Sequence, residues 1–466
     1  MELLVSAVKH TPSGDVYTLV GGKVLNAQLD ISLAPLEKAE IKVRDGMLSH
    51  VSGLTISKAG MKELEQELGR ICALLGLDRP SYNCSPEGEG RADIAKVDRE
   101  MEGDLSAAAK EFAKRLISGA PIVVRFHNDG DGSSGGLALH RAIRNIEDRL
   151  GIQFGNLYWK AHKGIYYSED DMTFDSAAFG AYDSAMKPMV VIIDFGTAPG
   201  SNAALKRAFG KVDFIWLDHH PVVGSFAKDM AGLYINPWDF GGDSNYTAGM
   251  LASRFAELLS GKSMRLLKEV SMISDMSKYA DRSYKDANKI ATVLDFVTGS
   301  KGSKNNGISP AEMNRLIDDG RRLSSLFSEI SEIIEDSLSS GAKYSKKYKS
   351  SGGFYVRVLD FEKVLLENPK TLLPGRYSSR LHESLFDSNG KYGITIVSFG
   401  SYISIRVSKG IASKVALQSI IEKLSRQFGE GVSGGGHSEA SSIKVPDKEM
   451  LGDVLKSLLR ELGVRQ

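Results

Sequence analysis

Three apolar runs, each ending in acidic residues, constrain the fold of this chain more than any other feature. "PIVVRFHNDGDG" carries Ile122, Val123 and Val124 into His127, Asp129 and Asp131; "PMVVIIDFG" ends in Asp194; "VDFIWLDHHP" ends in Asp218, His219 and His220. Runs this apolar read as strands covered on both faces, the habit of parallel α/β sheets. From Pro121 to about residue 300 such runs alternate with helical patterns, the signature of a parallel sheet with crossover helices. Open parallel sheets deliver the carboxyl ends of their strands to one edge, where ligands bind. Clusters far apart in sequence are therefore expected to converge.

A single buried strand can end in Asp simply because the loop after it meets water, and for one cluster that reading is as good as a functional one. Three in succession, one with adjacent histidines, favour function. Carboxylates gathered at one edge raise one another's pKa unless cations neutralise them. Mixed carboxylate and imidazole donors suit manganese or magnesium better than thiolate-seeking metals. Two such ions ~3.5 to 4 Å apart, sharing a carboxylate, are a known device for phosphate-ester hydrolysis. In "FHNDGDGSSGG", Gly130 and Gly132 would let the backbone fold tightly around the ions, and Ser133 or Ser134 would cap the next helix, whose N-terminus favours phosphate. The competing readings of that stretch fail. Asn-Asp-Gly-Asp-Gly is too long for a two-residue hairpin loop. An EF-hand register with Gly132 as its glycine puts His127 first and Ala138 last, neither of which suits calcium.

The other numbers bound the class of protein. At 466 residues the chain has room for two to four domains, at roughly one per 150 residues. Lys and Arg number 59 against 58 Asp and Glu, a net +1, so nucleic-acid binding cannot be argued from overall charge and any basic surface is local. Cys72 and Cys84 are too few for a disulfide framework and match no zinc spacing. "MELLVSAVKH" lacks the charged start and long apolar stretch of a secretory leader and no run approaches the ~20 apolar residues of a membrane span, so a soluble, cytoplasmic protein with no membrane partner is expected. Alternation in 1–57 reads as a small all-β, barrel-like module, followed by a helical connector over 58–104 and an α/β domain over 105–300. Ser309, Pro310 and Glu312 form a capping box opening one long amphipathic stretch in a helical insert and linker, 301–350. A separate α/β domain follows at 351–466. Lys343, Tyr344, Lys346, Lys347, Tyr348 and Lys349 interleave cations with aromatics as single-strand grooves do, though a solvated linker explains them better. His10, His50, His140, His162 and His382 have no usable ligand spacing. Packing accounts for Trp159 and Trp216, whereas Trp238 would border the cleft.

"HNDGDG", "IIDFG", "LDHH" and the acidic residue of "EVSMISDMSKY" together resemble the motif series of the DHH phosphoesterase superfamily, in the order found in archaeal RecJ-like nucleases. "INPWDFGGDSNYTAGM" resembles the segment between their third and fourth motifs, and "FGEGVSGGGHSEASSIKVP" the Gly-Gly-Gly-His signature of the accompanying DHHA1 domain. The resemblance covers roughly 105–300 and 350–466. It implies a parallel-sheet DHH catalytic domain and a smaller α/β DHHA1 domain across a cleft. His127 and Asp129 would hold one metal, and Asp131, His219 and Asp275 the other, with Asp194 bridging. Asp218 would orient a ligand and His220 would touch the scissile phosphate. Family pyrophosphatases place their first histidine four residues before the first aspartate; Arg125 stands there, which leaves the role of His127 open. Gly434, Gly435, Gly436 and His437 would cradle a substrate phosphate, although a lone Gly-Gly-Gly-His is more often a flexible loop. Arg406 and Ser408 match positions that contact phosphate or a terminus. The implied cofactor is a pair of Mn2+ ions, with Mg2+ open. The implied activity is single-strand-specific exonuclease cleavage of DNA or RNA in replication or repair. A small-oligonucleotide or cyclic-dinucleotide phosphodiesterase, or a scaffold with little catalysis, are the alternatives. Implied partners are single-stranded nucleic acid, the GINS complex and, through it, the MCM helicase.

Overall fold

The computed structural model describes residues 2–21, 23–28, 33–40, 43–44, 47–48, 60–76, 92–222, 226–299, 308–386, 390–429, 431–436 and 438–464. The chain divides into two compact units, Met1–Leu294 with Lys304–Leu323, and Asp295–Ser303 with Ser324–Gln466.

The first unit opens with strands β1 (Glu2–Lys9), β2 (Val16–Val20), β3 (Val24–Gln28) and β4 (Lys38–Glu40), then a short pair β5 (Val43–Arg44) and β6 (Met47–Leu48). Alternation puts Leu3, Val5, Tyr17 and Leu19 on one buried face. Among the described residues the sheet is open, in the order β3-β2-β1-β4, and not barrel-like. Helices α1 (Met61–Leu74) and α2 (Ala92–Ile117) follow. Because α2 runs unbroken past residue 104, the boundary expected there falls inside a helix.

The chain then builds β7 (Ile122–His127), α3 (Gly130–Leu150), β8 (Leu157–His162), α4 (Glu169–Phe179), β9 (Tyr182–Ser184), β10 (Met189–Ile193), α5 (Asn202–Ala208), β11 (Asp213–Leu217), α6 (Ala227–Met230) and β12 (Leu233–Ile235). Strands in the order β12-β11-β10-β7-β8 form a wholly parallel sheet. The odd one out is β9, which pairs with β1 and ties the N-terminal sheet to this region. All of β10 is buried, as a doubly covered strand requires. One face packs Val190, Ile192, Phe214 and Trp216 against α4 and α5. On the other, α3 lies close enough that a Cβ at Gly135 or Gly136 would meet Ile193 or Phe126 at 2.9 Å. Helices α7 (Ala248–Ser260), α8 (Arg265–Ser274), α9 (Lys285–Gly299) and α10 (Pro310–Asp318) follow, α10 opening with the expected capping box. The long stretch does not continue as one helix. Asp319 leaves the helical region (φ −85°, ψ 80°) and α11 (Gly320–Tyr344) starts anew.

The second unit takes most of α11, then β13 (Lys346–Lys349), β14 (Tyr355–Asp360), α12 (Phe361–Glu367), α13 (Pro374–Leu385), β15 (Gly393–Phe399), β16 (Tyr402–Val407), α14 (Lys409–Val415), α15 (Leu417–Phe428), β17 (Ser433–Gly436), β18 (Ala440–Lys444) and α16 (Lys448–Glu461). These strands form a mixed sheet in the order β13-β14-β15-β16-β18-β17. Ile394, Ile396, Ile403, Ile405, Ile421, Leu424 and Leu458 fill the core between the sheet and the last helices. Lys346–Lys349, read from sequence as linker, is an edge strand, and its lysines discourage further pairing.

Candidate metal centre

Strand register brings the three acidic clusters together. Ile193 of β10 lies opposite Phe126 of β7 and Leu217 of β11, so the next residues, His127 at the end of β7 and Asp194 and Asp218 just past β10 and β11, stand side by side. Asp194 adopts a left-handed backbone (φ 68°), a costly conformation held by its surroundings, including its N–H donating to Leu217 O at 3.0 Å. The two oxygens of its carboxylate face different groups. Oδ2 is 3.6 Å from His127 Nδ1, which is 2.9 Å from Asp129 Oδ2. Oδ1 is 3.3 Å from His219 Nε2, itself 3.7 Å from Asp131 Oδ2. Asp275, just past α8, brings Oδ2 to 3.8 Å from His219 Nδ1. Donor atoms within 4.8 Å of one another thus form the sets His127/Asp129/Asp194, Asp131/His219/Asp275 and Asp194/Asp218/His219/His220.

Local structure explains each position. Asp129, not Ser133 or Ser134, caps α3: its side chain accepts from Gly132 N at 3.0 Å, and the helix begins at Gly130. A Cβ on Gly132 would lie 2.5 Å from His127 O, so close approach of α3 to β7 demands glycine. Asp131 points inward and accepts from Ala248 N (3.1 Å), Gly249 N (2.8 Å) and the Ser271 hydroxyl. It thereby occupies the N-terminus of α7, where backbone dipoles favour a negative charge. A Cβ on Gly249 would sit 2.8 Å from Asp131 Oδ1.

The histidines are oriented from behind. His219 donates Nδ1–H to Ser244 O at 2.8 Å, which turns Nε2 toward Asp194 and Asp131. His220 donates Nδ1–H to Asp218 Oδ1 at 2.8 Å, and Nε2 of its half-exposed ring has no hydrogen-bond partner among the described residues. Asp218 is fully buried; Oδ1 also accepts from His219 N and His220 N, while Oδ2 has no partner among the described residues. Burial would raise the Asp218 carboxyl, but His220 and His219 outweigh it and hold it down. Burial and the charge of Asp194 push Asp131 well up. Burial lowers His127 and His219, yet Asp129 and Asp194 for the one, and Asp194, Asp275 and Asp131 for the other, carry both well above an ordinary histidine. A cluster so loaded with competing charge has the electrostatics of a cation site.

Two neighbours escape a reading of the sequence alone. His162 ends β8 opposite His127 and stacks on Phe195 at 4.0 Å, a placement only strand register reveals. Arg125 is buried in an ion pair with Asp175 and Asp171 (2.7 and 2.6 Å), anchoring α4 to the sheet. Burial alone would raise Asp171; His162, Arg125 and Ser168 hold it well below the usual carboxylate range.

The second unit's candidates are less concentrated. Gly434, Gly435 and Gly436 belong to edge strand β17 and not to a loop; a Cβ on Gly434 would meet Ile421 at 2.9 Å. His437 lies outside the described residues. The Arg406 guanidinium donates to Ser379 Oγ at 2.8 Å and Gly375 O at 3.2 Å. Ser408 departs from expectation. It is buried, with Oγ 3.1 Å from His382 Nε2 and accepting from Gly393 N, so it fastens α13 to β15 rather than facing a ligand.

No family model matches the sequence. A solved DHH-domain structure, described as coming from a member of a family of ribosomal proteins, superposes with a TM-score of 0.69 at 23% identity, covering 87% of this chain and 98% of that one. The chain has the DHH-domain fold. An uncharacterised protein of Methanocaldococcus jannaschii is 24% identical and aligns with 94% of the chain, which spans 65% of that relative's length. Thermus thermophilus RecJ in complex with Mn2+ (TM-score 0.46, 16% identity, 85% of this chain and 59% of that one) is a looser likeness. So is Entamoeba histolytica CDC45 (TM-score 0.48, 10% identity, 76% and 99%). Neither carries a role over. Among the described residues no helix is long and apolar enough to cross a membrane.

Proposed function

We propose that this DHH-fold chain is a metal-dependent phosphodiesterase that degrades single-stranded DNA or RNA from an end. The observation that carries the reading is the Asp194 carboxylate, whose two oxygens face two separate donor sets. The residues fit a pair of hard divalent ions: imidazole and carboxylate donors without thiolates, and a buried Asp218 Oδ2 that no described protein group satisfies. His127 and Asp129 would hold one ion, Asp131, His219 and Asp275 the other, and Asp194 both. When bound, such ions neutralise charge on the phosphate oxygens and acidify the attacking water. Manganese is the ion the sequence resemblance implies, with magnesium the alternative.

The chain's own residues do the rest. Burial opposes a charged ring, but the Asp218 carboxylate raises His220 above an ordinary histidine, and the imidazolium, held through Nδ1–H on Asp218, would donate Nε2–H to a non-bridging oxygen of the scissile phosphate. Ser244 O fixes the His219 tautomer. In the second unit, Arg406, the edge amides of Gly434–Gly436 and His437 would grip phosphates of the strand. Association with GINS, and through it MCM, belongs to the same proposal; failure of the immobilised chain to retain GINS at low salt would remove it.

The test is digestion of one oligomer, made as DNA and as RNA and labelled at either end, with manganese, magnesium or chelator, beside Asp194→Ala. Metal-dependent laddering that is lost in the variant supports the exonuclease and reveals its polarity. Activity that declines as the substrate lengthens replaces it with a small-oligonucleotide phosphodiesterase. A folded chain inert with every metal leaves the scaffold.

A further inference from the structure

We propose that Trp238 is a stacking platform for the nucleobase beside the scissile phosphate, an inference that rests on the nuclease reading above. The three tryptophans differ sharply. Trp216 is fully buried and donates to Phe195 O at 2.8 Å, and Trp159 lies edge-on to His140. Trp238 is 46% exposed, on the short turn Pro237–Phe240.

Its position is not that of a loose surface side chain. The indole Nε1–H points at His219 O (3.1 Å) and Ser244 Oγ (3.3 Å), while Ser244 Oγ donates to the same carbonyl at 2.8 Å. Asn236 accepts from Trp238 N at 3.1 Å and donates to His220 O at 2.9 Å. The ring is therefore tied through hydrogen bonds to the backbone of both histidines of the centre. Ser244 is also the residue whose carbonyl orients His219, so one short segment fixes the imidazole and the indole together. Among the described residues no ring or cation covers the indole face.

An apolar plane held at fixed reach from a phosphate-handling centre suits a ligand that carries a flat apolar group one sugar away from its phosphate, which is a nucleotide. Stacking tolerates every base, because each has a π face. It also selects single strands, since a base in a duplex already has both faces covered. The substrate class this assigns is a base-bearing single strand, not a simple phosphodiester.

The experiment is a double-substitution cycle with the full chain and manganese. A single-stranded oligomer is compared with one carrying an abasic residue beside the scissile bond, using native chain, Trp238→Ala and Trp238→Phe. Losing either the base or the indole should raise KM about tenfold, with kcat changed less than about twofold, and losing both should cost no more than losing one. Trp238→Phe should recover most of the affinity and, with it, most of the discrimination against the abasic substrate. Strictly additive losses, or a native KM for Trp238→Ala, overturn the stacking and leave the nuclease standing. A native chain that cleaves neither substrate overturns both.

Discussion

The two units treat their candidate residues differently. In the first, Asp129, Asp131, Asp194, His219 and Asp275 come from distant segments into overlapping donor sets whose atoms lie within 4.8 Å of one another. In the second, Arg406 lies on a strand face, Ser408 is buried beneath α13, and the glycines form an edge strand. Sheet type accounts for the contrast. Parallel strands discharge all their carboxyl ends at one edge, so a motif at each end is enough to build a site. Antiparallel neighbours send their ends to opposite edges, and the alternation of faces and the covering helix decide which side chains reach solvent.

One added methyl group in each unit should separate them most widely. Gly249→Ala forces a Cβ against Asp131, and should cost about 1–3 kcal/mol in stability by overpacking and at least about 100-fold in kcat/KM, read by thermal melting and digestion. Gly435→Ala meets nothing within 4 Å and should change stability by less than about 0.5 kcal/mol. Equal effects would erase the distinction between the two sites.

Polar substitutions should have smaller effects. Asp218→Asn keeps the volume but weakens the hold on His220 Nδ1, and should lower kcat/KM about 10- to 100-fold, with strand affinity measured alongside. Ser408→Ala should cost about 1–2 kcal/mol of stability, as a buried donor or acceptor is left unpaired, without weakening strand binding. Arg406→Ala should weaken binding and flatten its salt dependence by about one ion, read by fluorescence anisotropy at several salt concentrations. Weaker binding in the serine variant at unchanged stability would restore Ser408 to the substrate site.

The smallest effect concerns the junction of β1 and β9. His10 Nδ1 is 2.9 Å from Asp15 and Nε2 3.1 Å from Asp183, and these hydrogen bonds raise its pKa above 6.5. The imidazolium is favoured in the folded state, so this contribution is complete below pH 6.5 and fades as pH rises through the higher folded value. Melting temperature against pH should show a shallow decline just above 6.5 that His10→Gln removes and high salt weakens.

The three central strands of the parallel sheet are legible in the sequence because a doubly buried strand leaves an uninterrupted apolar run, and the acids after Ile193 and Leu217 mark where it stops; the flanking β8 and β12, only partly buried, leave no such run. What surrounds Asp131 is not legible, because Ala248 and Gly249 bond it from more than a hundred residues away. The cap of α3 is misplaced from sequence, which points to Ser133 or Ser134, because the helix starts earlier, at Gly130, and makes Asp129 the cap. The break at Asp319 leaves the apolar period almost intact, so the pattern reads through it. His162 and the pairing of β9 with β1 depend on register between strands, which no local pattern encodes.

Everything proposed for the first unit depends on one sheet edge holding two divalent ions through a shared Asp194. Manganese binding followed by electron paramagnetic resonance on the native chain, Asp194→Ala and Asp275→Asn reads this without recourse to activity. Two ions per native chain, magnetically coupled, are expected, with both weakened by the first substitution and one by the second. A native chain that binds no manganese, or an Asp194→Ala chain that still binds two as tightly, would contradict it.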